Sequence, residues 1–293
     1  MFTKENIQFN SGNDKCSGWI YKTNKSEKSP CIILAHGFAG TKEMRLDSFA
    51  EKFACSGYNA LVFDYRHFGT SDCQPRQLLS IKKQHEDWHA AIKYAETLPY
   101  IDSTKIILWG SSFSGGHVIE IGAQSQQIAA IISQVPYINS FELALRSGII
   151  HNFRLVLAGF RDVIHHLLSL EPYYVPVFGY PGELAAINAP GEAEVAKKLL
   201  PDGYKFDNRV SARSFLSIST YNPGNKAKKI LVPWLVQVSN CDFTTPGKTA
   251  IKAAKKAANA YIIEYDYSHF EFYTGSAFNH VVEDQILFLQ RYL

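Results

Sequence analysis

The sequence predicts an α/β fold: a mostly parallel sheet with helices on both faces and an inserted helical cap. Three observations carry this expectation. Short apolar runs alternate with helical stretches, the pattern of a parallel sheet wrapped by helices. That rhythm stops over residues 139–228 and then resumes. The 293-residue chain is 46% hydrophobic and 19% charged, a globular composition that excludes a disordered or coiled-coil protein.

Residues 7–9 and 18–21 read as opening strands joined by a turn around Gly12-Asn13-Asp14. Residues 31–34 form a buried strand that ends in His36-Gly37. Residues 41–56 read as a helix with Phe49, Phe53 and Ala54 on one face. A strand follows at 60–63, a helix at 81–97, a strand at 105–109, a helix at 113–124 and a strand at 128–132. Residues 139–228 then show helical patches, prolines and many aromatics but no clear strand. Strand and helix patterns return at 230–238, 246–258, 260–265 and 281–292. A regular scaffold broken by about 90 irregular residues marks an insertion. The expected organisation is therefore a core of residues 1–138 and 229–293 with a cap of residues 139–228.

Net charge is +3 and no long basic run is present, so a nucleic-acid or membrane-surface role is not expected. The five cysteines are scattered, odd in number and without C-x-x-C spacing. A disulfide scaffold or structural zinc is not expected, and a reducing cytoplasm is. The first ten residues lack the apolar core of a signal peptide. No apolar run approaches the roughly 20 residues of a membrane span. The nearest, 149–170, is broken by His151, Arg154, Arg161 and Asp162.

The sharpest feature is Trp109-Gly110-Ser111-Ser112-Phe113-Ser114-Gly115-Gly116, where an apolar strand runs into a small-residue turn and then a helical pattern. This is the setting of the G-x-S-x-G nucleophile elbow. A nucleophile on a strained turn needs small residues two before and two after it. Around Ser112 these are Gly110 and Ser114, so a serine replaces the last glycine. The helix beginning near Phe113 would aim its positive end at the site. A second frame would make Ser114 the nucleophile. The Ser112 frame is preferred because the strand ends directly at Trp109-Gly110. A glycine-rich turn without chemistry is the plainer alternative, so partners are required.

A serine hydroxyl needs a base, and the base needs an orienting carboxylate. Asp242 lies just past the carboxyl end of the 230–238 strand. It could serve as a helix cap, but Thr245 directly before Pro246 suits that role better. His269 follows the last strand, where a loop can bring an imidazole over the serine. Asp266 and Glu264 are weaker acid candidates, being too close in sequence to His269. Main-chain N–H groups of Phe38, after His36-Gly37, and of Phe113 would form an oxyanion hole. His36 itself is expected to brace its loop.

Taken together, the chain resembles the α/β hydrolases. His36-Gly37, Asp64-Tyr65-Arg66 through Gly69 and Ser71, the Ser112 elbow, Asp242 and His269 stand in that family's order. It looks closest to the branch holding dienelactone hydrolases, esterases similar to X-Pro dipeptidyl-peptidase, and fungal polyketide transferases. The resemblance covers residues 5–138 and 222–293 and does not extend to the cap. It departs at Ser114, at His67 in place of a commoner glycine, and at Cys241 beside the acid.

Other motifs carry less. His85-Glu86-Asp87-Trp88-His89 matches H-E-x-x-H, whose helical spacing suits zinc, but a third ligand would be needed, with His117 or Glu120 the nearest options. In the hydrolase setting that helix is expected outside the sheet, away from the site. Gly247-Lys248-Thr249 lacks the earlier glycine of a phosphate-binding loop. No metal or organic cofactor is implied.

In the cap, Phe141, Leu143, Ile149, Phe153, Leu157 and Phe160 supply apolar surface, and Tyr173, Tyr174, Phe178 and Tyr180 supply aromatics with polar tips. Such residues line an acyl pocket or simply hold the cap together. The expected activity is ester or thioester hydrolysis on a small-molecule acyl substrate. Ser112 would attack, His269 would act as base and Asp242 would orient it. Acyl transfer, peptide cleavage by the same residues, and a non-enzymatic binding role remain the alternatives. The sequence leaves the oligomeric state open.

Overall fold

A computed structural model describes residues 1–125 and 127–293. The elements in chain order are β1 (Phe2–Ser11), β2 (Asp14–Thr23), β3 (Ser29–Ala35), α1 (Leu46–Cys55), β4 (Asn59–Phe63), α2 (Ile81–Thr97), β5 (Ile101–Ser111), α3 (Phe113–Gly122) and β6 (Ile128–Gln134). Then follow α4 (Ser140–Ser147), α5 (Ile149–Leu167), β7 (Tyr174–Val175), α6 (Glu192–Lys197), β8 (Val210–Ser211) and α7 (Ser214–Ile218). The chain finishes with β9 (Trp234–Ser239), α8 (Gly247–Ala254), β10 (Ala260–Tyr265) and α9 (Gly275–Tyr292).

Eight strands form one sheet in the order β1-β2-β4-β3-β5-β6-β9-β10. The β1–β2 and β2–β4 pairs are antiparallel, and every pair from β4 to β10 is parallel. Parallel strands are covered on both faces, which is why β3 and β4 read as near-continuous apolar runs. Alternate side chains feed two cores. Ile33, Leu61, Leu108 and Val236 join Trp88 of α2 and Val118 of α3 on one face. Ile32, Val62, Trp109 and Leu235 join Phe49 of α1 and Val281 of α9 on the other.

Helix α2 runs over the expected residues, and Ser80 caps it by accepting from the Lys83 N–H at 3.4 Å. Helix α1 begins later than its pattern suggests. Lys42 donates both its backbone N–H and its ammonium to Asp64 at the end of β4, at 2.7 and 2.6 Å. That draws residues 41–45 into a loop, and Arg45 turns left-handed before the helix starts.

Segment 139–228 holds α4 to α7 and the two-residue antiparallel pair β7–β8, which the sequence did not show, and it leaves through a 3-10 turn at Pro223–Lys229. Buried Asp162 of α5 ties this segment together. It accepts from the Tyr173 N–H at 2.8 Å, the Ser211 hydroxyl at 2.5 Å and the Arg213 N–H at 2.9 Å. Among the described residues no helix is long and apolar enough to cross a membrane.

Candidate active site

Strand β5 ends at Ser111, and the next residue, Ser112, has a φ of 57° and ψ of −120° that make a strained turn into α3. The turn is held from both sides: the Ser112 N–H donates to the Gln134 carbonyl at 2.9 Å, and its carbonyl accepts from the Tyr137 N–H at 2.8 Å. A Cβ on Gly110 would lie 2.2 Å from the Ser114 carbonyl oxygen, so only glycine fits there. Ser114 is fully buried and its hydroxyl lies 2.5 Å from the Tyr65 hydroxyl. Trp88 Nε1–H donates to that same tyrosine at 2.8 Å. Ser114 is thus engaged in the core, while Ser112 faces a cavity. Tyr65 follows an unremarkable strand in the sequence, and only the fold reveals its contact with Ser114.

His269 Nε2 lies 3.0 Å from Ser112 Oγ, and His269 Nδ1 lies 2.6 Å from Asp242 Oδ2. With its proton on Nδ1, the ring donates to Asp242 and accepts from Ser112. Asp242 also accepts the Thr244 and Thr245 N–H groups at 2.6 and 2.7 Å and the Thr245 hydroxyl at 2.8 Å. Burial disfavours both charges. The pair nevertheless overcomes it: the Asp242 carboxylate and its hydrogen bond, aided by Glu192, raise His269 above its ordinary pKa, and His269 and Thr245 hold Asp242 below its own. Thr245 therefore does not cap α8 as its place before Pro246 suggests. The residue at that helix's N-cap is Pro246, with no side-chain cap.

Phe113 opens α3, so its N–H has no intrahelical acceptor. Its ring meets that of Phe38 edge-on at 6.0 Å, and both residues line the cavity beside Ser112. Gly37 is tight against the serine: a Cβ there would lie 3.0 Å from Ser112 Cβ. His36 braces this loop as expected, with Nδ1 2.9 Å from the Gly37 carbonyl, and burial keeps its pKa below the ordinary value.

The cavity measures about 530 Å³. Its apolar wall includes Phe38, Leu143, Leu155 and Phe215, and Arg146 and His151 bring basic groups to it. Phe141 and Leu143 line it, as expected. Ile149, Phe153, Leu157 and Phe160 do not: they point outwards and are more than half exposed. Helical spacing groups these residues on a face but does not say what that face meets. Phe178 lines a smaller cleft shared with Gly37, Ser112 and Leu199. Glu192, at the start of α6, escaped the sequence reading. It is 4% exposed, and its Oε2 has no hydrogen-bond partner among the described residues.

The H-E-x-x-H helix is less remote than expected. His85 Nε2 lies 3.0 Å from His117 Nδ1, and His117 also meets the Tyr221 hydroxyl and Gln84 Oε1, each at 2.8 Å. The His117 ring packs against Phe113 at 4.9 Å. Burial lowers His85 to about 4. His89 is exposed, and no cluster of three or more metal-ligating side chains occurs among the described residues.

The serine aminopeptidase S33 profile, of the Hydrolase_4 family, matches residues 26–267. The quorum-quenching protein AidA of Acinetobacter baumannii is 42% identical over 285 residues, covering 97% of this chain and 94% of that protein. The polyketide transferase grgF of a Penicillium species is 26% identical over 234 residues, covering 78% and 76%. The solved structure of the α/β hydrolase GrgF from Penicillium sp. sh18 superposes with a TM-score of 0.83 at 22% identity over 99% of both chains. Est1E of Butyrivibrio proteoclasticus with bound ferulic acid gives 0.67 at 18% identity over 98% of both chains. The likeness of these structures is one of fold. The profile and the 42% relative carry the family: this chain is an enzyme of the serine aminopeptidase S33 family of α/β hydrolases.

Proposed function

We propose that the chain cleaves a carboxylic ester or thioester through an acyl-enzyme on Ser112. The observation that carries this is the unbroken relay from Ser112 Oγ through His269 to Asp242, at 3.0 and 2.6 Å, under an apolar cavity. His269 takes the serine proton as the hydroxyl attacks the acyl carbon, and returns it to the leaving alcohol or thiol. Asp242 holds the ring and stabilises the imidazolium. The Phe38 and Phe113 N–H groups receive the oxyanion, each contributing about 3 kcal/mol to the lowered barrier. Water, activated by His269, then releases the acid. Segment 139–228 acts as the cap that shapes the acyl pocket.

The relative named for quorum quenching suggests the substrate's scale. A small signal molecule with an apolar tail and an ester, open or cyclic, suits a cavity of about 530 Å³. Cleavage of a free amino terminus fits less well. An aminopeptidase site needs a carboxylate for the α-ammonium group, and among the described residues none lines this cavity. Acyl transfer, the activity in the name of grgF, uses the same relay with another nucleophile in place of water.

The test is turnover of p-nitrophenyl esters of rising chain length, with and without added alcohols and thiols, by wild type and Ser112→Ala. Hydrolysis by wild type alone supports the proposal. Equal turnover by Ser112→Ala would overturn it, and products of the added nucleophile would favour transfer.

A further inference from the structure

Helix α5 is apolar on two opposite faces. Leu155, Ala158 and Gly159 turn one face inwards, where Gly159 comes close to Ala212 and Leu216. The other face carries Ile150, Phe153, Leu157, Phe160, Ile164 and Leu167, each between 51% and 78% exposed. A helix apolar all round is normally a buried one. We propose that this outer face is buried against the same face of a second copy of the chain, in a two-fold pair of α5 helices.

Three features point to that partner. The six residues follow one another at intervals of three, four, three, four and three, the a/d spacing of a helix-pairing seam. An amphipathic helix on a lipid surface shares the 3.6-residue period but presents a wider apolar face with basic residues along its polar face. Here Arg154 and Arg161 lie on one flank only, and Arg161 is engaged over the Tyr173 ring at 4.1 Å. The second feature is area. Each of these side chains exposes on the order of 100 Å², and with Ile149 and Leu168 the stripe reaches about 800 Å² per copy, what a standard interface buries on each partner. The third is self-complementarity. A two-fold interface needs a patch that fits itself, and an uncharged seam of Ile, Leu and Phe does so without unpaired charge.

The pairing has a consequence for the cavity. His151, Asn152 and Leu155 on the same helix line it, so the partner would steady one of its walls.

Sedimentation velocity on the full chain, over about a hundredfold range of concentration, tests the proposal. Wild type should sediment with twice the 32.9 kDa chain mass. Leu157→Glu with Phe160→Glu should sediment as a monomer with unchanged circular dichroism. Leu157→Ala with Phe160→Ala, which adds no charge, should weaken the pair at least about tenfold. Flotation with phosphatidylcholine–phosphatidylglycerol vesicles should leave wild type unbound. A wild-type chain that stays monomeric throughout, a dimer untouched by either double substitution, or monomers that float with the vesicles would each overturn it.

Discussion

Gly37→Ala probes the geometry around Ser112 with a single methyl group. The φ of Gly37 lies outside the left-handed region, so alanine meets no backbone strain. Its Cβ would lie 3.0 Å from Ser112 Cβ, 3.3 Å from the Ser111 carbonyl oxygen and 3.5 Å from Ser112 Oγ. Ordinary carbon–carbon contact is about 3.5–4.0 Å, so about 0.5–1 Å must be absorbed. Ser112 cannot readily yield, because β6 and the segment after it hold its N–H and its carbonyl. The 36–40 loop must move instead, and it carries the Phe38 N–H. A misplacement near 1 Å costs about a hundredfold in rate, or about 3 kcal/mol of transition-state stabilisation. Overpacking of about 1–3 kcal/mol, partly offset by the about 0.4–1 kcal/mol that alanine contributes through the unfolded chain, should lower stability by at most about 2.5 kcal/mol, which the thermal melt reads separately from rate. Gly40→Ala is the control: its Cβ would meet Met44 Sδ at 3.3 Å, the sulfur of a flexible side chain. The assay is kcat/KM on a short p-nitrophenyl ester beside a thermal melt. A Gly37→Ala enzyme within about threefold of wild type, folded equally well, would refute the reasoning.

Four further outcomes follow from the site and its support. His269 must be neutral to act as base, and Asp242 with Glu192 holds its pKa above the ordinary 6.5 despite burial; kcat/KM should therefore fall as pH drops, with a midpoint above 6.5. Asp242→Asn should move that midpoint down and lower kcat/KM by about 10⁴-fold; an unmoved pH profile would contradict the ion pair. Glu192→Gln keeps the shape and removes a charge that helps raise His269, so its acid limb should also move down, with kcat at high pH nearly unchanged. Tyr65→Phe strips the partner from the buried Trp88 N–H and Ser114 hydroxyl, costing about 1–3 kcal/mol. A calorimetric melt should show the loss while KM stays near wild type, and an undisturbed Tm would count against that network.

The proposed site was more legible in the sequence than segment 139–228. Ser112, Asp242 and His269 each sit just beyond an apolar strand, and strand ends are readable from local pattern. Thr245 was misread because its neighbour Pro246 gives a strong local signal, whereas its real partner, Asp242, depends on the loop's path. The late start of α1 has a similar origin, since the pull of Asp64 on Lys42 spans 22 residues. In segment 139–228, Asp162 joins residues 11 to 51 positions away, and no local pattern announces such a knot. Ile149, Phe153, Leu157 and Phe160 were read as apolar surface of the cap, yet on α5 they look outwards, because a helix with two apolar faces gives no local sign of which turns inwards.

The most direct test is to treat the protein with a fluorophosphonate and map the modified peptide. Label on Ser112, blocked by Ser112→Ala and by His269→Ala and accompanied by loss of ester turnover that chelators do not affect, is the predicted result. Label on Ser114, or ester turnover that survives full modification of Ser112, would contradict it.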